Sequence, residues 1–163
     1  MLELMIVVAV LGIIGAMAVP MFSATDATRL TSAAGVLAAD IDAARAESIA
    51  HSDDPRLIVF DNNDVTWHIA AASDPTTPIS HPDTVLPYSR SFGTSALKQL
   101  QGVTIESYNL DTASETNDNK LGFGIYGQTD QTSDATITLR SGENVLTLSV
   151  NATTGEVSIG QVN

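Results

Sequence analysis

The sequence predicts an α+β protein: a long bent N-terminal helix, apolar in its first half and amphipathic in its second, packed on a C-terminal antiparallel β-sheet or sandwich. Three observations predict it. Residues 4–22 carry no charge, and residues 30–48 repeat their buried-type positions at the helical period. Beyond Pro55 the period drops to two, in short runs separated by Asn, Asp and Gly. Three regions follow: an apolar half of the helix, long enough to span a membrane (1–22), an amphipathic half (23–52) and a β globular domain (53–163).

The 163 residues suffice for one ordinary domain plus an appendage. The absence of cysteine excludes a disulfide scaffold, a zinc ribbon, an iron–sulfur site and thiol catalysis. Nineteen acids oppose seven Lys and Arg, a net charge of −12. Phosphate neutralisation needs a basic stripe, and here the cations are scattered singly, so no nucleic-acid partner is expected.

As a helix, residues 4–22 would rise about 28 Å, close to the hydrocarbon thickness of a bilayer. Three readings compete: a transmembrane helix, a cleaved secretory signal and a buried core helix. Ala16-Met17-Ala18 resembles a small-residue cleavage site. Against a signal stand the missing basic n-region, an apolar run longer than usual and Glu3 where Lys or Arg belongs. A core helix would require a small acidic domain to surround an apolar cylinder on all sides. Glu3 is the odd residue. A carboxylate at the edge of an apolar helix is costly in lipid unless it has a partner, or unless it sits at headgroup level as a first-turn acid favoured by the helix dipole.

Leu30, Leu37, Ile41, Ala44 and Ser48 share one helical face, with Asp42 and Glu47 pointing well away. The helix therefore runs on toward Ala50, weakened locally by Thr28, Thr31, Ser32 and Gly35, and bent at Pro20, which lacks a donor N–H. His51-Ser52-Asp53-Asp54-Pro55 ends it, because a residue preceding proline avoids the helical region. Next, residues 57–60 and 65–69 form two strands around the Asp61-Asn62-Asn63-Asp64 turn. The four prolines between Ala72 and Ser95 predict a long loop, with an edge strand at its end. Further strands are expected at 103–105, 122–126 and 136–139. A terminal hairpin follows, with Leu146, Leu148 and Val150 alternating before a turn at 151–155 and a last strand at 156–159.

The first twenty residues, MLELMIVVAVLGIIGAMAVP, closely resemble the N-terminal helix of the bacterial type IV pilin and type II secretion pseudopilin superfamily. In that family a glutamate follows a short apolar start and a helix-kinking proline lies seventeen residues further on. Glu3 and Pro20 stand at that separation. Family precursors carry a short basic leader ending in glycine, then usually Phe-Thr or Phe-Ser. Met1 stands two residues into that pattern, so processing and N-terminal methylation are implied by the resemblance alone. The end of the helix, Ala43-Ala44-Arg45-Ala46-Glu47-Ser48-Ile49-Ala50, and the final hairpin also look like the minor pseudopilin H and FimT-like branch.

The resemblance implies a structural subunit anchored in the bacterial inner membrane as a single-pass protein, its β-domain in the periplasm or on a filament. It implies that Leu4, Ile6, Val7, Val10, Leu11, Ile13 and Ile14 pack in a filament core. Glu3 would pair with the N-terminal amine of a neighbouring subunit. The implied partners are other pilin or pseudopilin subunits, the membrane, a prepilin peptidase and an assembly platform. Exchanging lipid for apolar helices keeps the segment in an apolar setting throughout. From Asp53 onward, 14 acids against 5 bases would keep the outer domain soluble. A second reading is a membrane-tethered binding module for ligand or DNA that never polymerises; a third is a secreted domain cleaved after Ala18.

No enzymatic activity is expected. His51, His68 and His81 are dispersed, and no phosphate loop, HExxH or nucleophile elbow is present. No cofactor is expected either. Asp61-Asn62-Asn63-Asp64 and Glu115-Thr116-Asn117-Asp118-Asn119 offer the oxygen ligands calcium uses, but neither fits an EF-hand loop and both are ordinary turn material. Asn151-Ala152-Thr153 matches a glycosylation sequon and reads as a hairpin tip.

Overall fold

The computed structural model describes residues 2–61, 63–82, 84–112 and 118–163, with side chains described except at positions 2, 4 and 13–24. The fold is α+β. Among the described residues one α-helix, α1 (Leu2–Ala50), precedes nine strands: β1 (Arg56–Phe60), β2 (Thr66–Ala71), β3 (Asp74–Pro78), β4 (Ser89–Ser91), β5 (Val103–Asn109), β6 (Lys120–Gly122), β7 (Ala135–Ser141), β8 (Asn144–Val150) and β9 (Val157–Ile159). All strand pairings are antiparallel and fall into two sheets, one running β3-β2-β1-β6 and the other β5-β7-β8-β9. In the first sheet β4 pairs with Thr66–His68 of β2 and β3 with Ala70 and Ala71, so the two short strands share one edge of β2.

The second half of α1 supplies the spine of the core. Leu30, Ala33, Ala34, Leu37, Ile41 and Ala44 are buried against Ile58, Phe60, Trp67 and Ile69 of the first sheet and Ile137, Leu139, Leu146 and Leu148 of the second. Leu30, Leu37, Ile41, Ala44 and Ser48 are all buried, as the helical period predicts, while Asp42 is exposed and Glu47 half-covered beside His51. Each fully buried Leu or Ile contributes about 1.5–3 kcal/mol of transfer free energy. The helix is thereby locked to both sheets: it touches β1 on one side and β7, β8 and β9 on the other.

Ser48 fastens the junction at which the helix gives way to strand. The Arg56 N–H donates to its Oγ at 2.7 Å, and the hydroxyl donates to the Arg56 carbonyl at 3.0 Å. Ser48→Ala therefore removes the acceptor of a part-buried backbone donor, and a loss of about 1 kcal/mol in urea unfolding is expected.

At the described residues of the expected 61–64 turn, Asn63 Oδ1 accepts the N–H groups of Val65 and Thr66, and Asp64 adopts a left-handed φ of 59°, as these residue types favour. Two sequence expectations need correction. Residues 74–78 pair as β3 despite Pro75 and Pro78, because an edge strand needs donors on one side only. The strand expected at 122–126 stops at Gly122. Phe123 makes one bridge to Thr129, and Gly127, at φ 81°, turns the chain between them. Just past the expected loop, where no element was predicted, a 3-10 helix at Ser95–Leu100 buries Leu97 and Leu100.

Candidate functional site

The first candidate surface is the free part of α1. Met5, Ile6, Val7, Val8, Val10 and Leu11 are all exposed, from 49% to 73%. Consecutive positions on a helix point in different directions, so this segment is apolar around its circumference with nothing of its own chain over it. Soluble monomers seldom leave such a continuous apolar surface in water. Glu3 is exposed in the first turn of this helix.

Ile6, Val7, Val10 and Leu11 of the expected packing set thus lie together on an uncovered rod. The side chains of Leu4, Ile13, Ile14 and Pro20 fall outside the described residues, as does most of the expected membrane segment. Among the described residues no helix is long and apolar enough to cross a membrane.

The second feature is a buried acid that a count of apolar positions passes over. Asp40 lies on the core face of α1, only 2% exposed. Trp67 Nε1–H donates to its Oδ2 at 2.8 Å and the Tyr88 hydroxyl donates to its Oδ1 at 3.0 Å. Arg90 Nε lies 3.1 Å from Oδ2, and the guanidinium sits 5.6 Å from the centre of the Tyr88 ring. The carboxylate thus ties the helix to β2 and to the edge strand β4. A sequence signal existed: Asp40 is three residues after Leu37 and four before Ala44, so the helical period places it on the buried face.

Burial pushes the Asp40 carboxyl above its ordinary value of 3.8, against the pull of Trp67, Arg90 and Tyr88. Folding therefore favours its protonated form. That contribution is complete below pH 3.8 and fades as pH rises through the raised value. Asp54 and Asp74 behave oppositely, held below the ordinary value by Ser73 and by the Thr76 and Thr77 hydroxyls. Their contribution is present above pH 3.8 and lost as pH falls through the lowered values. Asp40→Asn is expected to flatten the stability profile above pH 3.8 while leaving the acid limb in place. Urea midpoints at several pH values, read by the fluorescence of the single tryptophan, check it.

The three histidines form no catalytic constellation. His51 pairs with Glu47, His68 lies between Asp61 Oδ1 and the Pro75 carbonyl, and His81 stacks on Tyr88. Of the two oxygen-rich turns, Asn63 is occupied by its own backbone, Asp118 pairs with Lys120, and residues 62 and 115–117 lie outside the described ones. Among the described residues no group of three or more His, Cys, Asp or Glu could hold a metal ion.

A long N-terminal helix, half embedded in two antiparallel sheets and half free, defines a pilin-like fold. Two crystal structures of the type IV minor pilin FimU from Pseudomonas aeruginosa (strain PAO1) share it. One superposes with a TM-score of 0.56 at 16% identity, over 81% of this chain and 88% of that one. The other, in a second crystal form, gives 0.52 at 16%, over 80% and 91%. At that identity the shared property is the fold. No protein-family model matches the sequence, and no curated protein matches it.

Proposed function

We propose that this chain is a membrane-anchored, non-enzymatic pilin-like subunit that assembles through its N-terminal helix into a type IV pilus or a type II secretion pseudopilus. The observation that carries the reading is the contrast along one helix: Leu30 to Ala44 bury their apolar face in the chain's own domain, whereas Met5 to Leu11 present theirs outward on all sides. Such a rod is stable in lipid or among like helices, and passes between them without meeting water. The partners are then other pilin subunits, with the inner membrane as the place where the chain waits, its β-domain on the periplasmic side. By the resemblance of residues 1–20, a prepilin peptidase and an assembly platform act on it, and the minor pseudopilin H or FimT-like branch is its place in the family.

In this reading Glu3 pairs with the N-terminal amine of a neighbouring subunit and sets axial register. A buried charge without its partner is costly, so the pair specifies alignment more than it adds stability. Glu3→Ala is therefore expected to lower the amount of the protein in sheared filaments at least tenfold while its level in the membrane fraction stays unchanged. Equal incorporation of the variant would favour a tethered binding module that never polymerises.

A further inference from the structure

Above the Asp40 cluster lies a cavity of about 410 Å³, walled by the β4 edge on one side and the 3-10 helix on the other. Its size is that of a small-molecule site, which typically spans ~300–1,000 Å³. Leu86 forms the rim at 65% exposure, Leu97 the inner apolar wall, and Ser91 and Ser95 contribute hydroxyls.

Arg90 is the lining residue whose donors are held in a fixed orientation; His81, stacked on Tyr88, also lines the cavity. The Arg90 guanidinium is fixed twice, by the ion pair of Nε with buried Asp40 and by its approach to the Tyr88 ring, and its side chain remains 31% exposed. With Nε turned to Asp40, the terminal amino groups of the guanidinium are the donors it can present at the wall. A guanidinium already oriented by its surroundings loses little side-chain entropy on gripping a planar anion. Asp40 beneath it supplies one negative charge, which disfavours a dianion such as phosphate and leaves a monoanion as the better match.

We infer that this cavity binds a small carboxylic acid with a compact apolar body, its carboxylate on Arg90 and its body between Leu86 and Leu97. The inference is independent of the assembly reading. Trp67 reports on it, because its indole N–H donates to the same Asp40 oxygen that faces Arg90.

The test is a titration of the full chain, held in a zwitterionic detergent, with phenylacetate, followed by the single indole N–H resonance in a proton–nitrogen spectrum. A saturable shift at millimolar phenylacetate is expected. Phenylacetamide and inorganic phosphate should bind at least tenfold more weakly, and Arg90→Gln should abolish the shift. Ala96→Trp, which fills the cavity mouth and leaves Arg90 in place, should abolish it too and keeps the test decisive if Arg90→Gln fails to fold. Equal shifts with phenylacetamide, phosphate binding as tight as phenylacetate, or undiminished binding in a folded variant would overturn the inference.

Discussion

Replacing Asp40 with alanine is expected to cost about 3 kcal/mol of folding stability. The loss comes from its partners. The Trp67 indole is fully buried and Tyr88 is 7% exposed, so both donors would lose their acceptor with little water to replace it. Each orphaned buried donor costs about 1–3 kcal/mol. Arg90 adds little, because a side chain one-third exposed rehydrates when its carboxylate is gone. Part of the sum is returned, since Asp40 no longer has to be desolvated. Adding Tyr88→Phe to the alanine variant removes one orphan and should recover part of the deficit. Urea unfolding of the single and double variants measures both effects. A loss below about 1 kcal/mol for Asp40→Ala would mean that water already reaches these donors in the native protein.

The largest effect on assembly is expected from Leu11→Asp. Leu11 is 62% exposed and touches little of its own domain, so the substitution should leave the unfolding midpoint of the β-domain unchanged. In an apolar bundle or bilayer, by contrast, a charge near the centre of a helix costs about 2.5–3.5 kcal/mol. That corresponds to a fall of about a hundredfold in the filament-incorporated fraction, at one decade per 1.4 kcal/mol. Immunoblots of sheared filaments against whole cells read it. Preserved incorporation would show that the exposed helix is not packed in the filament.

The helix and most strands were legible because burial imposes a period. Leu30, Leu37, Ile41 and Ala44 recur at helical spacing since one face meets two sheets, and residues 146–150 alternate since β8 is buried on one side. Where burial is one-sided and short, the signal fails. β3 sits at the sheet edge, mostly exposed, and its prolines read as loop. At 122–126 the alternation outruns the pairing: β6 ends at Gly122, Phe123 keeps one bridge, and Gly127's positive φ bends the chain beyond it.

Asp40 escaped for another reason: counting apolar positions passes over an acid on the buried face, although its spacing from Leu37 and Ala44 places it there. Its partners Trp67, Tyr88 and Arg90 come from 27 to 50 residues away, so the cluster exists only once β2 and β4 are folded against the helix. The uncovered rod shows the reverse. Its composition was plain, and the exposure of Met5 to Leu11 adds that the chain offers them no cover of its own.

A photo-crosslinking residue placed at Val7 in living cells reads directly what surrounds this helix. If the helix is an assembly element, irradiation should join Val7 to the N-terminal helices of other pilin-like subunits in filament-competent cells, and that product should vanish when assembly is blocked. Products confined to lipid, or to a protein of another kind, under both conditions would contradict it.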